Sequence, residues 1–178
     1  MGFGDGHGPV GIVAAMFDDL LEANRRYQTS FSLAGLEPRA RRGLAVITCM
    51  DSRIEPLAML GLEPGDAKIF RNAGARVTED VLRSIVLAVH LLGVDRICVV
   101  QHTECAMTKY SDDELRARVG ERAGADASGW EFAAIADQRV ALRGDLYRIR
   151  TCPLVPETVA LGGFVYDVET GALEPVDE

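Results

Sequence analysis

Short apolar runs alternate along the chain with longer stretches of helical spacing. Residues 44–48, Leu-Ala-Val-Ile-Thr, form a run apolar enough for a strand buried on both faces. Further strands are predicted at 67–71, 96–101 and 163–168, the last followed by a turn at 169–171. A helix is predicted over 12–27, where Ile12, Ala15, Met16, Leu20 and Ala23 follow helical spacing. Thr78 is placed to cap a helix over 79–92; Glu79 and Asp80 favour its dipole, and Gly93 ends it. Two more helices are predicted over 112–123 and 131–148. This alternation implies an α/β fold with a mainly parallel β-sheet core flanked by α-helices. No repeat or linker divides the chain, so residues 1–178 read as a single domain with 1–11 flexible.

Composition narrows the function. The formal net charge is −8, which argues against nucleic acid and against anionic membrane surfaces, both of which need a basic face. The cluster Arg39, Arg41 and Arg42 reads as a solvated turn. No apolar run reaches the ~20 residues of a membrane-spanning helix. The glycine-rich N-terminus lacks a signal-peptide pattern, so a cytoplasmic location is expected. There, the four cysteines, Cys49, Cys98, Cys105 and Cys152, are expected to be thiols, metal ligands or catalytic groups rather than disulfides.

Two of these cysteines stand where chemistry is expected. In open α/β sheets ligands bind at the C-terminal ends of the strands. The first strand ends at Cys49, and the third runs into His102-Thr103-Glu104-Cys105. If those strands are near each other, two thiolates and an imidazole converge, a set suited to zinc with a fourth position open. Spacing alone fits two buried small apolar cysteines equally well. The polar surroundings at both strand ends favour the metal. Cys98, inside 97–100, reads as core, and Cys152 as structural. Asp51 lies two residues after Cys49. It either closes the metal shell or is held back by Arg53 and accepts a hydrogen bond from a metal-bound water. His90 reads as a packing residue, His7 as part of the tail, and neither as a proton shuttle; Met107, Tyr110 and Trp130 read as core or interface residues.

At these residues the chain resembles the β-class carbonic anhydrases. The matching pieces are Cys49-Met50-Asp51-Ser52-Arg53, Arg71-Asn72-Ala73-Gly74 and His102-Thr103-Glu104-Cys105, with a looser match at Gly163-Phe164-Val165-Tyr166-Asp167. The modest length is similar to the compact bacterial branch. The resemblance implies one zinc ion per chain on Cys49, His102 and Cys105, with Asp51 and Arg53 as the catalytic dyad. It also implies reversible hydration of carbon dioxide to bicarbonate, and a homodimer or higher homo-oligomer whose N-terminal helix reaches over its partner. The family usually has His-Thr-Asp-Cys-Gly at the third motif, where this chain has Glu104 and Ala106. Ala106 adds a Cβ where the backbone is expected either to approach a neighbour closely or to adopt an unusual conformation. Two other readings stay open: hydrolysis of carbonyl sulfide or carbon disulfide, and a non-catalytic zinc-binding or sensing protein in which Asp51 is the fourth ligand.

Overall fold

The computed structural model describes residues 16–177. The expected flexible tail and the first turn of the predicted N-terminal helix, 12–15, lie outside these residues. The chain divides into two compact units, residues 1–36 and 37–178. In the first, α1 spans Asp18–Gln28, with Asp18 and Asp19 in its first turn and Arg25 and Arg26 in its last, as the helix dipole favours. No residue of α1 is buried.

The second unit is built on one sheet. β1 (Leu44–Cys49), β2 (Ala67–Asn72), β3 (Arg96–His102), β4 (Ala160–Tyr166) and β5 (Leu173–Val176) lie in the order β2-β1-β3-β4-β5. The first four are parallel, and β5 pairs antiparallel at the edge. The short α2 (Pro56–Met59) follows β1. α3 (Glu79–Leu91), α4 (Asp112–Ala123) and α5 (Gln138–Arg150) complete the unit. From β1 the chain passes to β2 on one side and returns to β3 on the other. That reversal is the switch point at which open α/β sheets bind ligands.

The periodicity reads through to the core. One face of the sheet, with Ala45, Ile47, Ile97 and Val99, packs under α3 and α5 through Ile85, Ala88, Leu142, Leu146 and Ile149. Gly163 allows α5 to sit close: a Cβ there would lie 2.8 Å from Leu146 Cδ1. The other face holds Val46, Cys98 and Val100, with Ile69, Phe164 and Leu173 half-buried around them. Cys98 is therefore core, and burial pushes its thiol up to about 11. Cys152 packs half-buried against the first face. Thr78 caps α3 as expected, accepting from Val81 N–H.

Two boundaries differ from the sequence expectation. The helix predicted over 131–148 begins only at Gln138, behind an Asp137 cap that accepts from Val140 N–H. Residues 131–137 are held as a loop because the Asp112 carboxylate accepts from Phe132 and Ala134 N–H, and Ala133 sits at φ 57°, outside the helical region. The strand predicted at 163–168 runs instead over Ala160–Tyr166. Its parallel register with β3 starts at Arg96 opposite Ala160, and Asp167 ends it by accepting from Glu169 and Thr170 N–H. His90 is exposed and ties the end of α3 to the Leu154 carbonyl at 2.8 Å. Trp130 is exposed too and stacks on Phe132, so it is not a core residue.

The burial pattern of α5 makes a direct contrast. Leu142→Ala, at a fully buried site, is expected to cost about 2–5 kcal/mol. Val140→Ala, at an exposed site on the same helix, is expected to stay within about 0.5 kcal/mol. Urea unfolding of both variants checks this.

Candidate metal centre

The register of the sheet builds the site. Thr48 of β1 lies opposite Val100 of β3, so Cys49 closes β1 level with Gln101 and His102 closes β3 one residue further on, both at the same end of the sheet. The turn after β3 is fixed at several points. Thr103 N–H donates to the Tyr166 carbonyl, Thr103 Oγ1 accepts from Val168 N–H, and Gln138 Nε2 donates to the His102 carbonyl. Cys105 is brought back beneath that turn, its carbonyl accepting from Thr108 N–H and Oγ1–H.

Cys49 Sγ, Cys105 Sγ and a ring nitrogen of His102 all fall within 4.8 Å of one another, and all three residues are buried. The two sulfurs are 4.0 Å apart. Ligands ~2.3 Å from a tetrahedral ion lie ~3.8 Å apart, so the trio needs little adjustment to hold one. His102 Nδ1 is 2.8 Å from the Thr103 carbonyl, which makes Nδ1 the N–H and leaves the lone pair on Nε2. Nε2 is buried and has no protein partner. Such an orphaned acceptor between two sulfurs is what a cation site requires.

Electrostatics agree with the geometry. A hydrogen bond from Cys105 holds the Cys49 thiol well below its ordinary range, against burial that raises it; His102 and the Gly74 N–H add to the lowering. The same bond, with burial, pushes Cys105 up. Two sulfurs this close do not both ionise unless a cation joins them. For His102, burial favours the neutral ring, but the neighbouring Cys49 sulfur and its negative charge outweigh it and raise its pKa.

Asp51 stands beside the trio, its Oδ2 3.9 Å from His102 Nε2. Arg53 grips it in bidentate fashion, Nε to Oδ1 at 3.0 Å and Nη2 to Oδ2 at 2.9 Å, and the Arg53 N–H also donates to Oδ1. These hydrogen bonds hold the Asp51 carboxyl well below the usual carboxylate range and raise Arg53. The backbone beneath is fastened by Arg71, which donates to the carbonyls of Cys49 and Asp51 at 3.0 and 2.7 Å.

Three participants were not readable as such in the sequence. Gly74, in the short 3-10 turn Ala73–Ala75, donates its N–H to Cys49 Sγ at 3.3 Å. It sits at φ 79°, and a Cβ would meet Ile135 and Met107 at 3.0 and 3.2 Å; a lone glycine directly after a strand was the available signal. Glu104 donates nothing but accepts from Arg53 Nη1 at 3.1 Å, giving Arg53 a second carboxylate. Glu104 also carries the unusual backbone expected at Ala106: its φ is 56°, whereas Ala106 starts an ordinary 3-10 turn. That conformation costs a β-carbon residue about 1 kcal/mol. Third, Met107 packs half-buried against the two site cysteines, with Ile54 and Tyr166.

A sheet with a two-thiolate, one-imidazole cluster at its switch point and an arginine-held carboxylate beside it defines the class: a metalloenzyme of the α/β type with a zinc-suited centre. Comparison with known proteins agrees. A family model described as carbonic anhydrase matches residues 44–173. β-Carbonic anhydrase 1 of Mycobacterium tuberculosis is 35% identical over 159 residues, covering 89% of this chain and 96% of that protein. A carbon disulfide hydrolase of Saccharolobus solfataricus is 30% identical, covering 89% of each. Among solved structures, a carbonic anhydrase from Streptococcus mutans superposes with a TM-score of 0.86 at 36% identity, covering 90% of this chain and 97% of that one. The chain belongs to the β-carbonic anhydrase family, whose members are zinc enzymes.

The Asp51 grip has a pH signature. Because its folded pKa lies below the unfolded value of ~3.9, the stabilisation it contributes is complete above that pH and is lost as pH falls through the folded value. Arg53→Met is expected to bring the Asp51 titration up toward ~3.9. Carbon NMR of the Asp51 carboxyl in wild type and variant checks the shift.

Proposed function

We propose that Cys49, His102 and Cys105 hold one zinc ion per chain and that Asp51 and Arg53 work beside it in the reversible hydration of carbon dioxide to bicarbonate and a proton. The observation that carries this reading is the buried, unpartnered Nε2 of His102, facing two sulfurs while Arg53 keeps Asp51 off the same space. Bound there, zinc supplies a water acidic enough to act as a nucleophile near neutral pH. Thr103 aims the His102 ring through its carbonyl. Asp51 Oδ2, ionised by its pairing with Arg53, offers an acceptor that orients the water's O–H and so its lone pair. Ile54, Met107 and Tyr166 present an apolar wall suited to a small uncharged linear substrate. The Arg53 pairing speaks against a closed shell with Asp51 as fourth ligand and hence against a purely structural metal.

The family supports carbon dioxide as the substrate. Carbon disulfide is also linear and uncharged, and a hydrolase of it stands among the relatives. Sulfide release measured beside carbon dioxide hydration separates the two. We further infer a homodimer or higher homo-oligomer. Half-buried Ile69, Phe164 and Leu173 on the second sheet face, and the exposed Leu20 and Leu21 of α1, are apolar surface of the kind subunits bury. A cytoplasmic location fits four free thiols, and among the described residues no helix is long and apolar enough to cross a membrane.

Stopped-flow hydration assays test the function. The zinc-replete chain is expected to hydrate carbon dioxide rapidly, and faster toward alkaline pH. Cys105→Ser is expected to lose most of its zinc. Asp51→Asn is expected to keep zinc while losing on the order of 10²-fold or more in rate. A fully zinc-loaded wild type with no activity from neutral to mildly alkaline pH would overturn the proposal.

A further inference from the structure

Outside the trio and its dyad, one buried charge among the described residues has no part in the chemistry so far. Asp145, on α5, is 3% exposed. Its Oδ2 accepts from Arg76 Nε at 2.7 Å and its Oδ1 from Val77 N–H at 3.0 Å. Arg76 also donates from Nη1 to the Ala133 carbonyl at 2.9 Å, in the loop ahead of α5. Arg76 is pinned along its backbone as well: Asn72 Oδ1 accepts from its N–H at 2.9 Å, and Asn72 Nδ2 donates to its carbonyl at 2.7 Å.

Between those two anchors lie only Ala73, Gly74 and Ala75. Ala75 is fully buried at φ 57°, and Gly74 is at φ 79°, so this turn does not adopt its shape by backbone preference. It is held in place from Asn72 on one side and from Arg76, through Asp145, on the other. The turn packs against the ends of β1 and β3. It delivers the Gly74 N–H to Cys49 Sγ at 3.3 Å. A buried ion pair is a poor source of net stability, since apolar residues of similar volume usually serve as well. What a bidentate carboxylate does supply is direction, here at both the Arg76 side chain and the Val77 amide.

We propose that Asp145 and Arg76 are positioning residues that hold the Gly74 N–H on the Cys49 sulfur and thereby set that sulfur's donor strength toward the metal. The inference rests on the zinc reading above. An N–H directed at a metal-bound thiolate withdraws charge from it, and a weaker thiolate donor leaves the ion a stronger Lewis acid. In a site with two thiolates, that correction favours an acidic water. Groups of this kind, one step removed from the ligands, commonly govern 10–100-fold, roughly, in affinity or activity. Arg148, Glu79, Asp80 and Glu131 line the same cleft from α5, α3 and the preceding loop. Arg148 pairs with Glu79 there without reaching the turn.

The test uses cobalt(II)-substituted full-length protein, whose sulfur-to-cobalt absorption band reports thiolate donor strength directly. Asp145→Asn and Arg76→Gln are expected to move the band to longer wavelength and to lower kcat about tenfold with KM little changed. Glu79→Gln, which breaks the neighbouring ion pair, is expected to leave band and kcat as in wild type. If Asp145→Asn does not fold, Arg76→Gln carries the test, since Arg76 is one-fifth exposed and its loss leaves the bond from Val77 N–H to Asp145 in place. Folded variants whose band and kcat match wild type overturn the inference, whatever happens to their melting temperature. A wild type with no sulfur-to-cobalt band overturns the metal assignment and the inference with it, so the two failures are told apart.

Discussion

The parallel register of β1 against β3 carries the metal centre. With Thr48 opposite Val100, β1 ends on Cys49 and β3 ends one residue further along on His102, so both ligands stand at the same end of the sheet. A slip of one residue would turn every side chain of a strand to the opposite face and separate the pair. The register is itself fixed by burial: Val46 and Cys98 meet on one face, while Ile47 and Val99 meet on the other beneath α3 and α5. The chain's order reversal at this pair leaves a crevice above the strand ends, and the turn after β3 folds Cys105 back into it.

Charge then decides what the crevice does. Two sulfurs and an imidazole lone pair, all buried, are a costly group to leave without a cation. The adjacent carboxylate would be drawn to such a cation, and its bidentate bond to Arg53 opposes this. Glu104 reinforces the arrangement by taking the remaining arm of Arg53, although both ends of that contact are well exposed and its energy is small. On the other side of Cys49, the Gly74 amide is held by a chain of contacts that ends at a carboxylate on α5. The site is thus braced from the sheet, from the turn after β2 and from the last helix.

Most of the sheet and the zinc trio could be read in the sequence, for local reasons. The 44–48 and 96–101 segments are continuous apolar runs, and their ends change abruptly to Cys, His and Asp. Asp51 and Arg53 are two residues apart, so their pairing needs no knowledge of the fold. What escaped depends on contacts distant in sequence. The loop at 131–137 carries a helix-like composition and is held open by Asp112, about twenty residues earlier. The Glu104–Arg53 contact spans 51 residues and the Arg76–Asp145 pair 69. β5, Leu173–Val176, has too few residues to show periodicity and contains Pro175, which only an edge strand accepts readily. The motif after β3 points to a close approach or an unusual conformation at Ala106, and the positive φ falls at Glu104 instead. The pattern shows that a tight turn is needed, but only the backbone shows which residue takes the positive φ.

X-ray absorption at the zinc edge reaches the central claim most directly. The account predicts two sulfurs at ~2.3 Å and light atoms at ~2.0–2.1 Å, one of them showing the outer scattering of an imidazole. It also predicts the same spectrum in Asp51→Asn, because the carboxylate is paired to Arg53 rather than to the metal. A shell with fewer than two sulfurs, or one that changes when Asp51 is replaced, would contradict it.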